Sequence, residues 1–241
     1  MNKYPKMIAH RGFSGYEKEN TACSFVAAGV NSFYGIECDI HKTIDGEFVV
    51  VHDPDLKRVA SVDVIIKEST LEELKKIDLL DVSGTKTYSY YKIPTLCEYL
   101  SIAKRYNKVC VIEFKYEYSE EDVLKVIDIV KSFDYLEQTV FISFVGSNLD
   151  YVKKYYPHQK VQFLTSKVLD NMIEYLLEHH FDLDIYYKAL TKELLDECHE
   201  KGILVNVWTV NDINDCKNLI IDGVDYITTN YFPDAEKVMN N

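Results

Sequence analysis

The chain has 241 residues, 47% of them hydrophobic and 27% charged, with 9 Gly and 5 Pro. A chain of this length buries about 70–75% of its extended surface, which supports one substantial core and rules out a low-complexity polymer. The balance of 27 basic against 39 acidic residues, a net charge of −12, argues against nucleic acid or an anionic membrane as a default partner.

Predicted strands and helices alternate along the chain. Short apolar, β-branched runs predict strands at 7–10, 35–40, 109–114, 140–143, 161–164, 183–186, 204–207 and 226–228. Amphipathic stretches predict helices near 20–30, 94–106, 119–132, 147–155, 168–179, 191–201, 211–221 and 232–239. Ser119-x-x-Asp122 has capping-box spacing, Asn211-Asp212 marks another helix start, and Gly202 and Gly223 fall where C-caps belong. Eight strand–helix units predict an α/β fold, a closed (β/α)8 TIM-type barrel. The competing doubly wound open sheet would use fewer strands and often a Gly-rich first turn, and no GxGxxG or Walker A loop is present.

One segment interrupts the alternation. Thr43-Ile44-Asp45-Gly46-Glu47 reads as a hairpin turn, and an insertion at about 54–92 follows, with one short helix started by Thr70-x-x-Glu73. Tyr88-Ser89-Tyr90-Tyr91 at its end reads as surface loop rather than lid. No linker divides the chain, so 1–241 is expected to form one domain.

The first residues are not followed by the apolar stretch of a secretory signal, and the longest uncharged run, 20–36, is too short and polar for a bilayer. A cytoplasmic location is expected. The six cysteines form no CxxC pair, which predicts reduced core thiols and no zinc site.

In such a barrel the active site lies at the C-terminal ends of the strands. Glu37 and Asp39 are two apart on one predicted strand and therefore share a face, and Glu113 and Lys115 repeat the spacing on the next. Either pair alone is an ordinary charged strand end. Three carboxylates at one mouth need a cation among them, and all-oxygen ligands select a hard one, Mg²⁺ or Ca²⁺. His10 and His52 follow apolar runs at the same mouth and suit general acid–base work near neutral pH. Arg11 and Lys115 supply positive charge for a phosphate-like group. His41 lies two residues beyond Asp39, but the hairpin is expected to carry it away from the mouth. The residues together describe metal-assisted phosphoester cleavage, without naming a substrate.

Longer motifs extend this reading: His10-Arg11-Gly12, Glu19-Asn20-Thr21, Glu37-Cys38-Asp39, Thr43-Ile44-Asp45-Gly46, Val51-His52-Asp53, Ile93-Pro94-Thr95-Leu96, Glu113-Phe114-Lys115, Val207-Trp208-Thr209-Val210-Asn211, and Gly223-Val224-Asp225 leading to Thr229-Asn230. In this order they resemble the glycerophosphodiester phosphodiesterase family over essentially the whole chain. The resemblance implies a barrel with a small insertion after the second strand. It also implies hydrolysis of a small-molecule glycerophosphodiester to glycerol 3-phosphate and an alcohol. By motif position Glu37, Asp39 and Glu113 would hold the divalent cation, and His10 and His52 would be the acid–base pair. Arg11 and Lys115 would contact phosphate, Glu19 would support the site, and Trp208 would line its substrate side.

Two departures stand out: Lys18 replaces the family's usual proline before Glu19, and Val59-Ala60 follows Arg58 where a threonine is usual. The alternatives are a phospholipase-like phosphodiesterase on the same barrel and a non-catalytic binder of phosphorylated metabolites. The first lacks an exposed apolar hairpin or basic amphipathic helix for membrane docking. The second would not need both histidines. An aromatic cage for a quaternary ammonium, from Tyr116, Phe144, Tyr186, Tyr187, Trp208 and Tyr231, is the weaker reading in a chain with 19 Tyr.

Overall fold

The computed structural model describes residues 4–240. Eight parallel strands form the wall of a barrel: β1 (Lys6–Ala9), β2 (Gly35–Lys42), β4 (Val109–Phe114), β5 (Thr139–Ser143), β6 (Lys160–Thr165), β7 (Asp182–Tyr186), β8 (Val205–Trp208) and β9 (Tyr226–Thr229). Each pairs with the next, and β1 pairs with both β9 and β2, which closes the ring. The closed sheet removes the open-sheet alternative. It is a (β/α)8 barrel.

The chemistry of the runs explains the closure. Ile8, Val111, Val140, Ile142 and Leu164 fill the inside of the barrel, while the opposite faces of the strands pack on the surrounding helices. Strands buried on both faces read as continuous apolar runs, which is why all eight were legible. Each buried Ile, Leu or Phe contributes about 1.5–3 kcal/mol over its exposed state.

The helices lie between the strands: α1 (Ala22–Val30), α4 (Leu96–Arg105), α5 (Glu120–Ser132), α6 (Gly146–Tyr155), α7 (Met172–His179), α8 (Lys192–Glu200), α9 (Ile213–Asp222) and α10 (Ala235–Asn240). Thr21 and Thr95 cap α1 and α4 through reciprocal boxes, so both helices begin two residues later than the apolar pattern predicts. Helix α7 begins at Met172 rather than near 168, because Asn171 sits in the left-handed region with φ 55°. Gly223 ends α9 in the same region.

Strand β3 (Phe48–Val50) runs antiparallel to β2 and completes the expected hairpin. The insertion differs from expectation. Besides α3 (Leu71–Lys76), with its Thr70 capping box, it holds a one-turn helix, α2 (Lys57–Ala60), and a 3₁₀ turn at Ile66–Glu68. No side chain caps α2; burial of Val59 and Ala60 holds it, a tertiary cause with no local signature. Leu56, Val59, Ile66, Leu74 and Leu79 pack with Val49, Val51 and Ile93 as a separate small core beside the barrel mouth. Tyr91 joins that core and donates to Glu17 at 2.7 Å, whereas Tyr88 and Tyr90 are exposed and stacked, as a surface loop requires. Four cysteines are buried as expected, but Cys23 is half-buried and Cys97 exposed.

Candidate active site

The strand register assembles the acidic cluster. Asp39 of β2 stands directly opposite Glu113 of β4, and Glu37 lies two residues back on the same face as Asp39. One carboxylate oxygen from each of Glu37, Asp39 and Glu113 falls within 4.8 Å of the other two. All three are buried. Such proximity is costly unless protons or a cation compensate it. Burial and the two neighbouring carboxylates push Glu37 well above the usual carboxylate range, and burial and Asp39 push Glu113 up to about 8. Asp39 moves the other way despite its burial, because Lys115, Arg11 and the Asn20 amide all face it. Lys115 reaches Asp39 at 3.1 Å and Glu113 at 2.8 Å, and Asn20 Nδ2 donates to Asp39 at 2.7 Å. Clustered buried oxygens at strand ends are a donor set fit for a hard divalent cation.

The His10-Arg11-Gly12 turn leads out of β1. Arg11 adopts φ 54°, and its backbone N–H donates to Glu37 at 2.7 Å. Its guanidinium pairs with Glu19 at 2.9 Å and lies 3.3 Å from Asp39. Gly12 follows at φ +78°, and a Cβ there would stand 2.4 Å from Ser24 Oγ, so only glycine fits.

Both histidines have one ring nitrogen engaged. His10 Nδ1 donates to Asn230 Oδ1 at 2.8 Å, and His52 Nδ1 donates to Asp53 at 2.6 Å. In these tautomers each Nε2 carries the lone pair. Burial, helped by Arg11, lowers His10 to about 4, and burial also lowers His52. Both rings are therefore neutral at pH 7. They line one cavity of about 270 Å³ with Arg11, Glu37, Glu113 and Lys115. The far wall of that cavity is Ile142, Phe144, Leu164, Asp184, Trp208 and Thr228.

The structure thus brings together His10, Arg11, Glu37, His52, Glu113, Lys115 and Trp208 at one cavity, with Asp39 immediately behind. Glu19 stands outside it and bridges Arg11 and Arg58. His41 lines neither the cavity nor the acidic cluster, as expected. It remains close by: β3 folds back on β2, and His41 Nε2 donates to the His52 backbone carbonyl at 3.0 Å. Of the six aromatics near strand ends, Phe144 and Trp208 line the cavity, in edge contact at 5.7 Å.

The model of the glycerophosphoryl diester phosphodiesterase family matches residues 10–234. The chain belongs to that family. A glycerophosphodiester phosphodiesterase of Caldanaerobacter subterraneus subsp. tengcongensis is 33% identical over 97% of this chain and 96% of its own. One from Bacillus altitudinis is 31% identical over 95% of each chain. Among solved structures, an Oleispira antarctica phosphodiesterase in complex with the product sn-glycerol-3-phosphate is similar with a TM-score of 0.89. It is 25% identical and covers 99% of this chain and 98% of its own. A glycerophosphodiester phosphodiesterase from Parabacteroides distasonis has a TM-score of 0.83 at 29% identity, over 98% and 97% of the two chains. Family membership makes this protein a phosphodiester hydrolase.

Four site residues were not singled out by sequence reasoning. Asn20 and Asn230 lie inside quoted motifs, where their position beside Glu19 and Thr229 was the available signal. Arg58 pairs with Glu19 and Asp53 from within the insertion, and Asp184 sits mid-strand. Arg58 entered only as the residue before the Val59-Ala60 departure, and Asp184 belongs to no quoted motif.

Proposed function

We propose that this family member hydrolyses glycerophosphodiesters to glycerol 3-phosphate and an alcohol, using a divalent cation, Mg²⁺ or Ca²⁺, and two histidines. The observation that carries this reading is the buried triad of Glu37, Asp39 and Glu113 facing His10 and His52 across one cavity. The relatives named above support the choice of glycerophosphodiesters.

Glu37, Asp39 and Glu113 would hold the cation, which when bound supplies Lewis-acid polarisation of the phosphoryl oxygens. The protein's own groups do the rest. Arg11 and Lys115, both on the cavity wall, neutralise the anionic diester and fix its orientation. His52 is the better proton acceptor, because the Asp53 carboxylate at its Nδ1 stabilises the imidazolium that forms. It takes the proton of the attacking hydroxyl, which belongs to water or to the glycerol 2-position; in the second case departure of the alcohol leaves a cyclic phosphate, which water then opens to glycerol 3-phosphate. His10, backed by the neutral Asn230 amide, gives a proton to the departing alkoxide after acquiring one from solvent or substrate. Glu19 holds Arg11 in place, and Trp208 closes the substrate side.

The reading takes the whole chain, insertion included, as one domain acting in the cytoplasm on water-soluble diesters. No helix among the described residues is long and apolar enough to cross a membrane, and the charge of −12 opposes docking on anionic lipid. The test is a panel of glycerophosphodiesters alongside intact phospholipid vesicles, assayed for glycerol 3-phosphate and for diacylglycerol. Release of glycerol 3-phosphate from the soluble diesters alone is expected. Cleavage of the vesicles in preference would overturn the reading in favour of a phospholipase. Tight binding without turnover would overturn it in favour of a metabolite binder.

A further inference from the structure

Asp184 occupies the middle of β7, between Leu183 and Ile185, and lines the same cavity as the two histidines. It is 2% exposed, and its Oδ1 has no hydrogen-bond partner. No salt bridge reaches it among the described residues; its polar neighbour is the Asn206 amide. Asn206 belongs to a short polar chain across the barrel interior, where Thr228 Oγ1 donates to Asn206 at 3.2 Å and Asn206 donates to Gln162 at 3.3 Å. Ile142 and Leu164 flank this polar strip on the cavity wall.

A buried carboxyl group with an unmade hydrogen bond destabilises a fold. A leucine-like side chain would fill the position without that cost. The same position suits a ligand, since an unpaired polar atom on a residue that lines a cavity regains its bond when something polar enters. The cationic and acidic groups lie on the β1, β2 and β4 side and take the phosphoryl group. The β5–β8 side offers apolar walls and this one unsatisfied oxygen, a surface fit for a short carbon chain bearing a hydroxyl.

The geometry points to Asp184 as the residue that binds a hydroxyl of the substrate's glyceryl group and so selects glycerol esters over esters lacking that hydroxyl. The assignment rests on the proposed glycerophosphodiesterase function and adds a specificity determinant to it. Burial pushes the Asp184 acid up to about 8, with only Asn206 holding it down. At neutral pH the group is therefore largely an uncharged carboxyl, which both donates to and accepts from a neutral hydroxyl. That also argues against a headgroup ammonium as its ligand, because an ammonium calls for a carboxylate. Sites that hydrogen-bond a substrate hydroxyl reject the analogue lacking it much more strongly than apolar pockets reject a missing methylene.

The test compares the binding of glycerol 3-phosphate and n-propyl phosphate, which share a phosphate and three carbons but differ in two hydroxyls. Trp208 is the only tryptophan, lines the cavity and donates from Nε1 to the Asp184 backbone carbonyl at 3.2 Å, so its fluorescence reports occupancy. With Ca²⁺ present, the wild type should favour glycerol 3-phosphate by about tenfold or more. Asp184→Leu should bring the two affinities to within about threefold of each other, and Asp184→Asn, which keeps a hydrogen-bonding oxygen, should retain most of the preference. Asp184→Leu should also melt no lower than the wild type, since it removes a buried unpaired group.

Equal wild-type affinities for the two phosphates would overturn the assignment without recourse to any variant. An undiminished preference in Asp184→Leu would do so as well. A wild-type preference for phosphoethanolamine over glycerol 3-phosphate, lost in Asp184→Leu, would transfer the residue to headgroup recognition. Absence of glycerol 3-phosphate release from any diester is the separate outcome that sinks the proposed function.

Discussion

Arg58 in the insertion grips Glu19 in the β1–α1 loop through both terminal nitrogens, at 2.7 and 2.8 Å. Its Nε donates to Asp53 at 2.6 Å, and Asp53 in turn accepts from His52. Glu19 also holds Arg11, the cation beside the acidic triad. From the neutral His52 ring, alternating charges thus run through Asp53, Arg58, Glu19 and Arg11 to Asp39. The insertion therefore buttresses the His52 and Arg11 side of the mouth from outside.

Arg58→Ala should lower kcat by about 10–100-fold, the usual cost of removing a group that orients a functional side chain. Its thermal midpoint should change little, because Arg58 is about half exposed. Steady-state kinetics against the melting curve separates the two. A loss of stability with unchanged kcat would reduce the network to scaffolding.

Asp53→Asn should be more severe than Arg58→Ala. The amide cannot stabilise an imidazolium at His52, so a kcat loss on the order of 10²–10⁴ is expected, similar to His52→Ala or His10→Ala. Double substitution of Asp53 and His52 should add little to either alone. Additive losses would place the two residues in separate roles.

The acidic triad makes stability depend on pH in a definite direction. Glu113 titrates near 8 in the fold against an ordinary 4.5, and Glu37 is shifted the same way. The folded protein then holds protons that the unfolded chain has released, so stability is full below about pH 4.5 and is lost as pH rises toward 8. His10 and His52 act oppositely, but only below their ordinary value of 6.5. Between pH 6.5 and 8 the carboxyl groups dominate. The chelated protein should melt at a lower temperature at pH 8 than at pH 6.5, and Mg²⁺ or Ca²⁺ should restore more of the loss at pH 8. A flat or rising midpoint in chelator would show the triad to be ionised without a cation.

Gly12→Ala tests the turn that aims Arg11. The added methyl meets Ser24 Oγ at 2.4 Å at a φ that L-residues rarely adopt, and about 1–3 kcal/mol of destabilisation is expected. Denaturant melts measure it directly.

The contrast between legible and illegible residues has a physical basis. The triad and both histidines were readable because strand alternation and barrel topology act locally: a polar residue at the end of an apolar run points into the mouth. Arg58 was not, since its contacts depend on how the insertion packs Leu56, Val59 and Leu74 against Val49 and Ile93, over distances no local pattern encodes. His41 was rightly left out of the acidic cluster, and the tight hairpin seats its ring on the His52 carbonyl. Asp184 carried a faint signal, one acid between Leu183 and Ile185 in a buried strand, which marks an inward-facing carboxyl only once the barrel is known.

The central claim is that a cation on Glu37, Asp39 and Glu113 is required for hydrolysis. Its most direct test is glycerol 3-phosphate release by enzyme stripped with chelator and then given Mg²⁺ or Ca²⁺. The account predicts that release falls to background on stripping and returns with one of the two ions, and that Glu113→Gln does not recover. Full activity in the presence of chelator would contradict it.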